Sequence, residues 1–271
     1  MLNCQYSARF HFNLAESFGY WAFASSILSA FCIFLPESDN IFIIAIPIFI
    51  DVIALIIQWC AGKAHRIAAK LRNYFDAVVL GINEKDNSLE DVRFIKETIF
   101  KTISKHHAES IEQINNTGCD TPPGVKDWYD LSFNTDSTNA VFECQKQNFW
   151  WTEKLTRIRL LINTVILLIL LISFIMATHF FEIPLSKVIL CFFALTLNQG
   201  SNIVNNCKYL RLIHEMDTIK KIPDIENNPV QIIHYQQKIN ELRAIPIFEI
   251  NAVHKYYSKK WTEMYSKIIN K

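Results

Sequence analysis

The chain has 271 residues, 27 Lys and Arg against 26 Asp and Glu for a net charge of +1, and 51% hydrophobic residues. That apolar share, with a mean hydropathy of +0.14, is high for a water-soluble domain, and the near-neutral charge excludes an electrostatic nucleic-acid binder or a strongly acidic partner. Six glycines without a Gly-rich loop exclude a phosphate-cradling turn, and seven cysteines, odd in number and without a C-x-x-C, read as reduced thiols.

Residues 17–36, between Glu16 and Glu37, carry no charge and are the first candidate span, since a bilayer core of about 30 Å takes roughly 20 apolar residues as a helix. With no small-residue cleavage site behind it, the segment reads as a span and not a removable signal peptide. Residues 41–61 are the second, with Asp51 as their one charge. A carboxylate at that depth costs roughly 2.5–3.5 kcal/mol on insertion scales, so it must face the bundle interior, a partner subunit or water. Its role is either a hydrogen-bonded structural Asp or, with Pro47 one turn before it, a gate. Helical spacing continues through Ile67, Ala68, Leu71, Phe75 and Val78 to stop signals at Gly81 and Asn83.

Ser88 and Asp91 start a helix carrying Val92, Ile95, Ile99, Ile103 and Ile111, predicted to run unbroken to about residues 115–118. A loop with Pro122, Pro123 and Gly124 carries Trp128 and Tyr129. The polar stretch 132–139 then leads into a helix from about Asn139 that becomes the third span, 160–181. The fourth, 188–207, ends in amides: Asn198, Gln199, Asn202, Asn205 and Asn206. Asn198, Asn202 and Asn205 share a helical face that lipid would not tolerate unsatisfied. Such a face is either glue between helices or a polar strip that hydrates a pore when subunits assemble, and Asn163 and Thr164 can face the same strip. After Pro223 and Pro229, residues 230–243 are helical by pattern. A last helix beyond Pro246 carries Val253, Tyr256, Tyr257, Trp261 and Tyr265. No strand pattern survives.

The loops set an orientation. Lys63, Arg66, Lys70 and Arg72 follow the second window, Lys146, Lys154, Arg157 and Arg159 precede the third, and Lys208 and Arg211 follow the fourth. The turns at 37–40 and 182–187 hold a single Lys. Positive residues favour the cytoplasm, so both termini are expected inside. The expected fold is all-α, a four-span integral membrane protein with a cytoplasmic helical bundle. Its parts are 1–61 (N-terminal segment and first hairpin), 62–159 (cytoplasmic helical region), 160–207 (second hairpin) and 208–271 (C-terminal cytoplasmic helices). With two short turns as its outer surface, the chain takes its input from inside.

Enzyme motifs are absent: no H-E-x-x-H, no G-x-S-x-G, no Walker loop. His106 and His107 are neighbours that point apart on a helix, which argues against shared metal ligation. No metal, cofactor or catalytic residue is expected. Trp128, Tyr129, Trp150 and Trp151 stand near Lys126, Lys146, Lys154 and Arg157; aromatic faces with nearby cations stack bases and hold phosphates. Trp150 and Trp151 equally suit an interfacial belt before the third span.

At these residues the chain resembles a known family. The string from Val125 to Tyr129 is similar to its V-K-D-W-Y element. Glu143 to Trp151 is similar to its C-Q-x-x-N-x-W-W element, and Gln236 to Arg243 to its Q-x-x-I-x-x-L-R helix, followed by a Pro. The family is that of the bacterial SMODS- and SLOG-associating four-transmembrane effectors, regarded as pore-forming. Of the family's opening Gln-Asn and Ala-Gln-Arg-rich helix, Asn3 to Ser17 keeps only traces. The resemblance implies a role in anti-phage defence: a nucleotidyltransferase makes a cyclic di- or oligonucleotide, and the effector, a homo-oligomer, responds by permeabilising the bacterial inner membrane. DNA is not an expected partner; the lipid bilayer is. The expected ligand residues are Lys126, Trp128, Tyr129, Trp151 and Arg157, and the expected pore or gate residues Asp51, Asn198, Asn202 and Asn205. The rivals are a non-conducting scaffold whose cytoplasmic bundle docks a protein, and a small constitutive channel.

Overall fold

The structure, a computed structural model, describes residues 1–36, 40–82, 89–118, 120–126, 137–219, 221, 228–247, 256–257 and 264, without the side chains of residues 89, 137–139, 147, 148 and 151. Seven α-helices are described: α1 Leu2–Phe31, α2 Ile41–Val79, α3 Leu89–Lys105, α4 His107–Asn115, α5 Ser137–Ile175, α6 Leu185–Ile219 and α7 Pro229–Ala244. A 3₁₀ turn, Cys32–Phe34, prolongs α1, and a π turn, Met176–Phe180, prolongs α5. Among the described residues the one extended pairing is an isolated bridge between Thr117 and Lys126. Four helices are long and apolar enough to cross a bilayer: Leu2–Phe34, Ile41–Val79, Thr152–Phe180 and Leu185–Ile219. The protein is an all-α, four-span membrane protein.

Two elements differ from the sequence reading. α1 begins at Leu2, well before the apolar window, because the segment holds no Pro or Gly before Gly19 and its start is packed: Cys4 and Ala8 join Leu71, Phe75 and Ile95 in one apolar core. The helix expected to run from 88 to about 115 is broken at His106, whose φ of −122° and ψ of 44° leave the helical region. The His106 ring lies 4.4 Å, centroid to centroid, from that of Phe10 on α1, a tertiary contact that local spacing cannot announce. Of the expected stops and breaks, Asn83 and Pro223 lie outside the described residues, and Gly81 and Pro229 act as expected. Gly81 closes α2 with φ +66°, a conformation glycine adopts without steric cost, and the Asn228 side chain caps α7 by accepting from the amides of Val230 and Gln231. The last predicted helix lies outside the described residues apart from Tyr256, Tyr257 and Met264.

The chain divides into two compact units. The first comprises Met1–Ala15, Gly62–Trp150 and Leu212–Pro246, and the second Glu16–Ala61, Trp151–Arg211 and Ile247–Lys271. The first unit is held by buried polar pairs around α7. Gln145 donates to the Gln236 side chain at 3.0 Å and to the Ile232 carbonyl at 3.3 Å, and Gln236 donates to Asn240 at 3.0 Å. Asp76, fully buried, pairs with Arg243 at 2.7 Å and Arg72 at 3.5 Å. The Phe142 and Phe149 rings meet Tyr235 edge-on. Lys238 bridges to Glu215 and Glu241, which holds its ammonium above the ordinary lysine range. Burial pushes the Cys144 thiol up to about 11, so at pH 8 the thiolate that would be the nucleophile is scarce. Iodoacetamide at pH 8 is therefore expected to leave Cys144 unmodified in the folded protein and to modify it after denaturation; ready labelling of folded protein would contradict the packing of this unit.

The second unit is built inside out. α2 buries Pro47, Asp51, Ala54 and Ala61 while exposing Ile44, Ile48, Phe49, Val52, Ile56 and Trp59. α1 buries Ala22, Ser26 and Ser29, the 3₁₀ turn that prolongs it buries Cys32, and α6 buries Cys191, Ala194, Asn198, Gln199, Asn202 and Asn206. In water this is the wrong face inward; in lipid, where association gains nothing from hydrophobicity, small and polar residues are what let helices meet. The most apolar stretch of α5 is 11% buried against 39% for that of α6, so α5 is largely uncovered within its unit.

Candidate functional site

The amides and the carboxylate singled out in the spans face inward. Asp51, Asn198 and Asn202 are 5%, 5% and 7% exposed, and Asn205 is half-buried. They are buried by the three- and four-residue spacing that sends each to the inner side of its helix. At Asp51, about 15 Å along α2 from Ile41 at the helical rise, Oδ2 accepts from the Ala194 amide at 3.2 Å. The Ser29 hydroxyl, on α1, donates to the Pro47 carbonyl at 3.3 Å. One turn deeper, the Asn198 amide donates to Ser26 Oγ at 3.1 Å, while that hydroxyl donates to the Ala22 carbonyl at 2.9 Å. The Asn206 amide returns to the Asn202 carbonyl of its own helix at 2.7 Å. At the far end of the unit Arg159 lies over the Tyr209 ring at 5.5 Å and donates to Thr156. Asn163 is buried, whereas Thr164 is exposed and spends its hydroxyl on the Leu160 carbonyl, so only Asn163 points inward.

Donors and acceptors do not balance along this row. Among the described residues Asp51 Oδ1, Gln199 Oε1 and Asn206 Oδ1 are buried without a hydrogen-bond partner. All three are acceptors. A purely structural polar core would be expected to close such bonds.

The expected ligand residues are placed less completely. Trp128 and Tyr129 lie outside the described residues, and so does the Trp151 side chain. Lys126 is exposed at the end of a loop in the first unit. Arg157 belongs to the second unit, where it is exposed and paired with Glu153 at 3.0 Å. The loop that delivers Lys126 is strongly determined. Arg9 of α1 donates to the carbonyls of Pro123 and Gly124 at 2.8 and 2.9 Å, and the Asn116 side chain donates to the Pro122 carbonyl at 2.8 Å. Asp120 accepts from the amide and hydroxyl of Thr117, which holds its carboxyl below the usual range. A side chain at Gly124 would meet the Asn116 carbonyl oxygen at 1.8 Å, so only glycine fits there. Sequence reasoning missed Arg9, because a lone arginine before an apolar window carries no local signal of a loop 114 residues away. It also took Gln145, Gln236 and Arg243 as marks of resemblance without seeing that the two glutamines meet and that Arg243 pairs with Asp76.

No group of three or more His, Cys, Asp and Glu side chains suited to a metal occurs among the described residues. A family model described as the SMODS-associating 4TM effector domain matches residues 18–195. No curated protein and no solved structure matches the chain.

Proposed function

The chain belongs to the SMODS-associating 4TM effector domain family, and from that premise we propose that it is a membrane effector of bacterial anti-phage defence that permeabilises the inner membrane when a cytoplasmic signal reaches it. The family's name supports an association with a nucleotidyltransferase-type partner, and hence a cyclic di- or oligonucleotide as the signal. The basic residues flanking the spans support cytoplasmic termini. The observation that carries the reading is the row of buried, partly unpartnered polar side chains through the membrane-spanning unit, which a simple anchor does not need and which a path for water does. The signal works by binding the permeable state more tightly than the closed one. Lys126, Trp128, Tyr129, Trp151 and Arg157 are the residues proposed to contact the ligand, and the active form is a homo-oligomer.

The test is leakage of dye and ions from liposomes holding the purified full chain, with and without a panel of cyclic dinucleotides and oligonucleotides. Leakage that depends on one of these ligands is the expected result. Trp128→Ala is expected to lower affinity for that ligand at least about tenfold, since a stacked base is worth roughly 1–3 kcal/mol. Unchanged affinity would remove Trp128 from the site, and absence of leakage from folded, inserted protein would favour the scaffold.

A further inference from the structure

A cavity of about 460 Å³ lies within the second unit, at the turn end of the two hairpins, with Cys32, Pro47, Leu190, Cys191 and Lys187 among its walls. Three of these residues define its floor by helical spacing. Cys32 stands three residues from Ser29 on α1, Pro47 four from Asp51 on α2, and Cys191 three from Ala194 on α6, so each shares a helix face with a member of the next layer. That layer holds Asp51, which accepts from the Ala194 amide, and Ser29, which donates to the Pro47 carbonyl. The cavity thus ends one helical turn short of a carboxylate that is 5% exposed and has one oxygen without a partner among the described residues.

In the row beyond it three buried oxygens stand without donors, short of the buried Arg159 guanidinium at the far end of the unit. Asp51 Oδ1, Gln199 Oε1 and Asn206 Oδ1 are the unpartnered acceptors, and Gln199 and Asn206, seven residues apart, lie on one face of α6. Pro47 has no amide hydrogen, so the Ile43 carbonyl, on a residue that lines the cavity, lacks its usual helical donor. Oxygens without donors are satisfied by water hydrogens or by a cation, never by an anion. One carboxylate among neutral oxygens matches a single positive charge, whereas divalent ions are held by several carboxylates or keep much of their water.

We propose that this cavity is the water-filled entrance by which a small monovalent cation reaches Asp51, so that the path begins inside the helical unit of one chain and not between chains. An assembly then carries one path per chain. The proposal rests on the permeabilising reading above and places its path. Lys187 opposes entry in the closed state: its ammonium lines the same cavity, held to the Leu35 carbonyl at 2.6 Å. Asp51 and Lys187 therefore push the charge preference of the cavity in opposite directions.

The two native cysteines in the wall give the test, and it needs no leakage. The full chain in liposomes is treated with a cationic or an anionic methanethiosulfonate, carrying a trimethylammonium or a sulfonate group, and the rate of modification at Cys32 and Cys191 is followed by peptide mass. Both are as buried as Cys144, at 9% and 1% exposed, but unlike it they belong to the wall of the cavity, and both are expected to react, slowly, through the water that fills it. The ratio of cationic to anionic rate is expected to fall about fivefold in Asp51→Asn, to recover in Asp51→Glu, and to rise by a similar factor in Lys187→Gln, the change expected for one charge several Å away in a partly hydrated site. If neither cysteine reacts, there is no water-filled entrance and the proposal is overturned. If they react but the ratio ignores Asp51, the carboxylate does not face the cavity and the proposal is equally overturned. Absence of leakage under every ligand, with the ratios behaving as expected, would sink the effector reading and leave the cation entrance standing.

Discussion

Asn198→Leu combined with Asn202→Leu is expected to abolish ligand-dependent leakage while leaving the protein inserted and folded. Both amides are buried in the membrane-spanning unit, and the bond from Asn198 to Ser26 links α6 to α1 at that depth. Ser26 keeps a partner after the change because its hydroxyl also bonds the Ala22 carbonyl. Hydrogen bonds between membrane helices average about 0.6 kcal/mol in double-mutant cycles, so the loss to stability is small. The loss to conduction is large, because two consecutive polar steps become hydrocarbon, which water does not wet. Ion flux from liposomes and thermal unfolding in detergent are to be measured on the same preparation. Full leakage with unchanged stability would show that the amides are ordinary glue between helices and that the path lies elsewhere.

Arg243→Ala is expected to destabilise the first unit by about 3–5 kcal/mol, the usual cost of removing one member of a buried ion pair. Asp76 is fully buried between Arg243 and Arg72, and of the two contacts that to Arg243, at 2.7 Å, is the shorter. Arg243 also fixes the end of α7 by donating to Asn73, and its carbonyl bonds His65. A domain's whole stability is commonly about 5–15 kcal/mol, so hydrogen exchange in α7 should speed up by two or more orders of magnitude. Arg243→Lys keeps the charge but not the forked geometry and should restore part of the protection. If α7 exchanges in the alanine variant as it does in the wild type, the ion pair contributes little and the Gln145–Gln236 contact holds the helix.

The spans and the main helices were legible because their signals are local. Charge-free windows, the stops at Gly81 and Pro229, and the helical spacing after Ile67 each depend on residues within a few turns. Asp51 and the amides of the fourth span stood out for the same reason, since a polar side chain in an apolar window is conspicuous by itself. What could not be read was pairing. Nothing near Arg9 announces that its guanidinium closes the loop at Pro123 and Gly124, nothing near His106 that its ring meets Phe10 and breaks a helix, and nothing near Asp76 that Arg243 neutralises it.

By itself, then, the sequence determined that this chain is helical, that it crosses a membrane four times and that polar groups sit where lipid would reject them, because hydropathy and backbone satisfaction in a bilayer act segment by segment. The tertiary structure alone decided which way those polar groups face, which of them are satisfied by Ser26 and the Ala194 amide, and which oxygens are left over, because a hydrogen-bond balance is a property of helices brought together and not of any one of them.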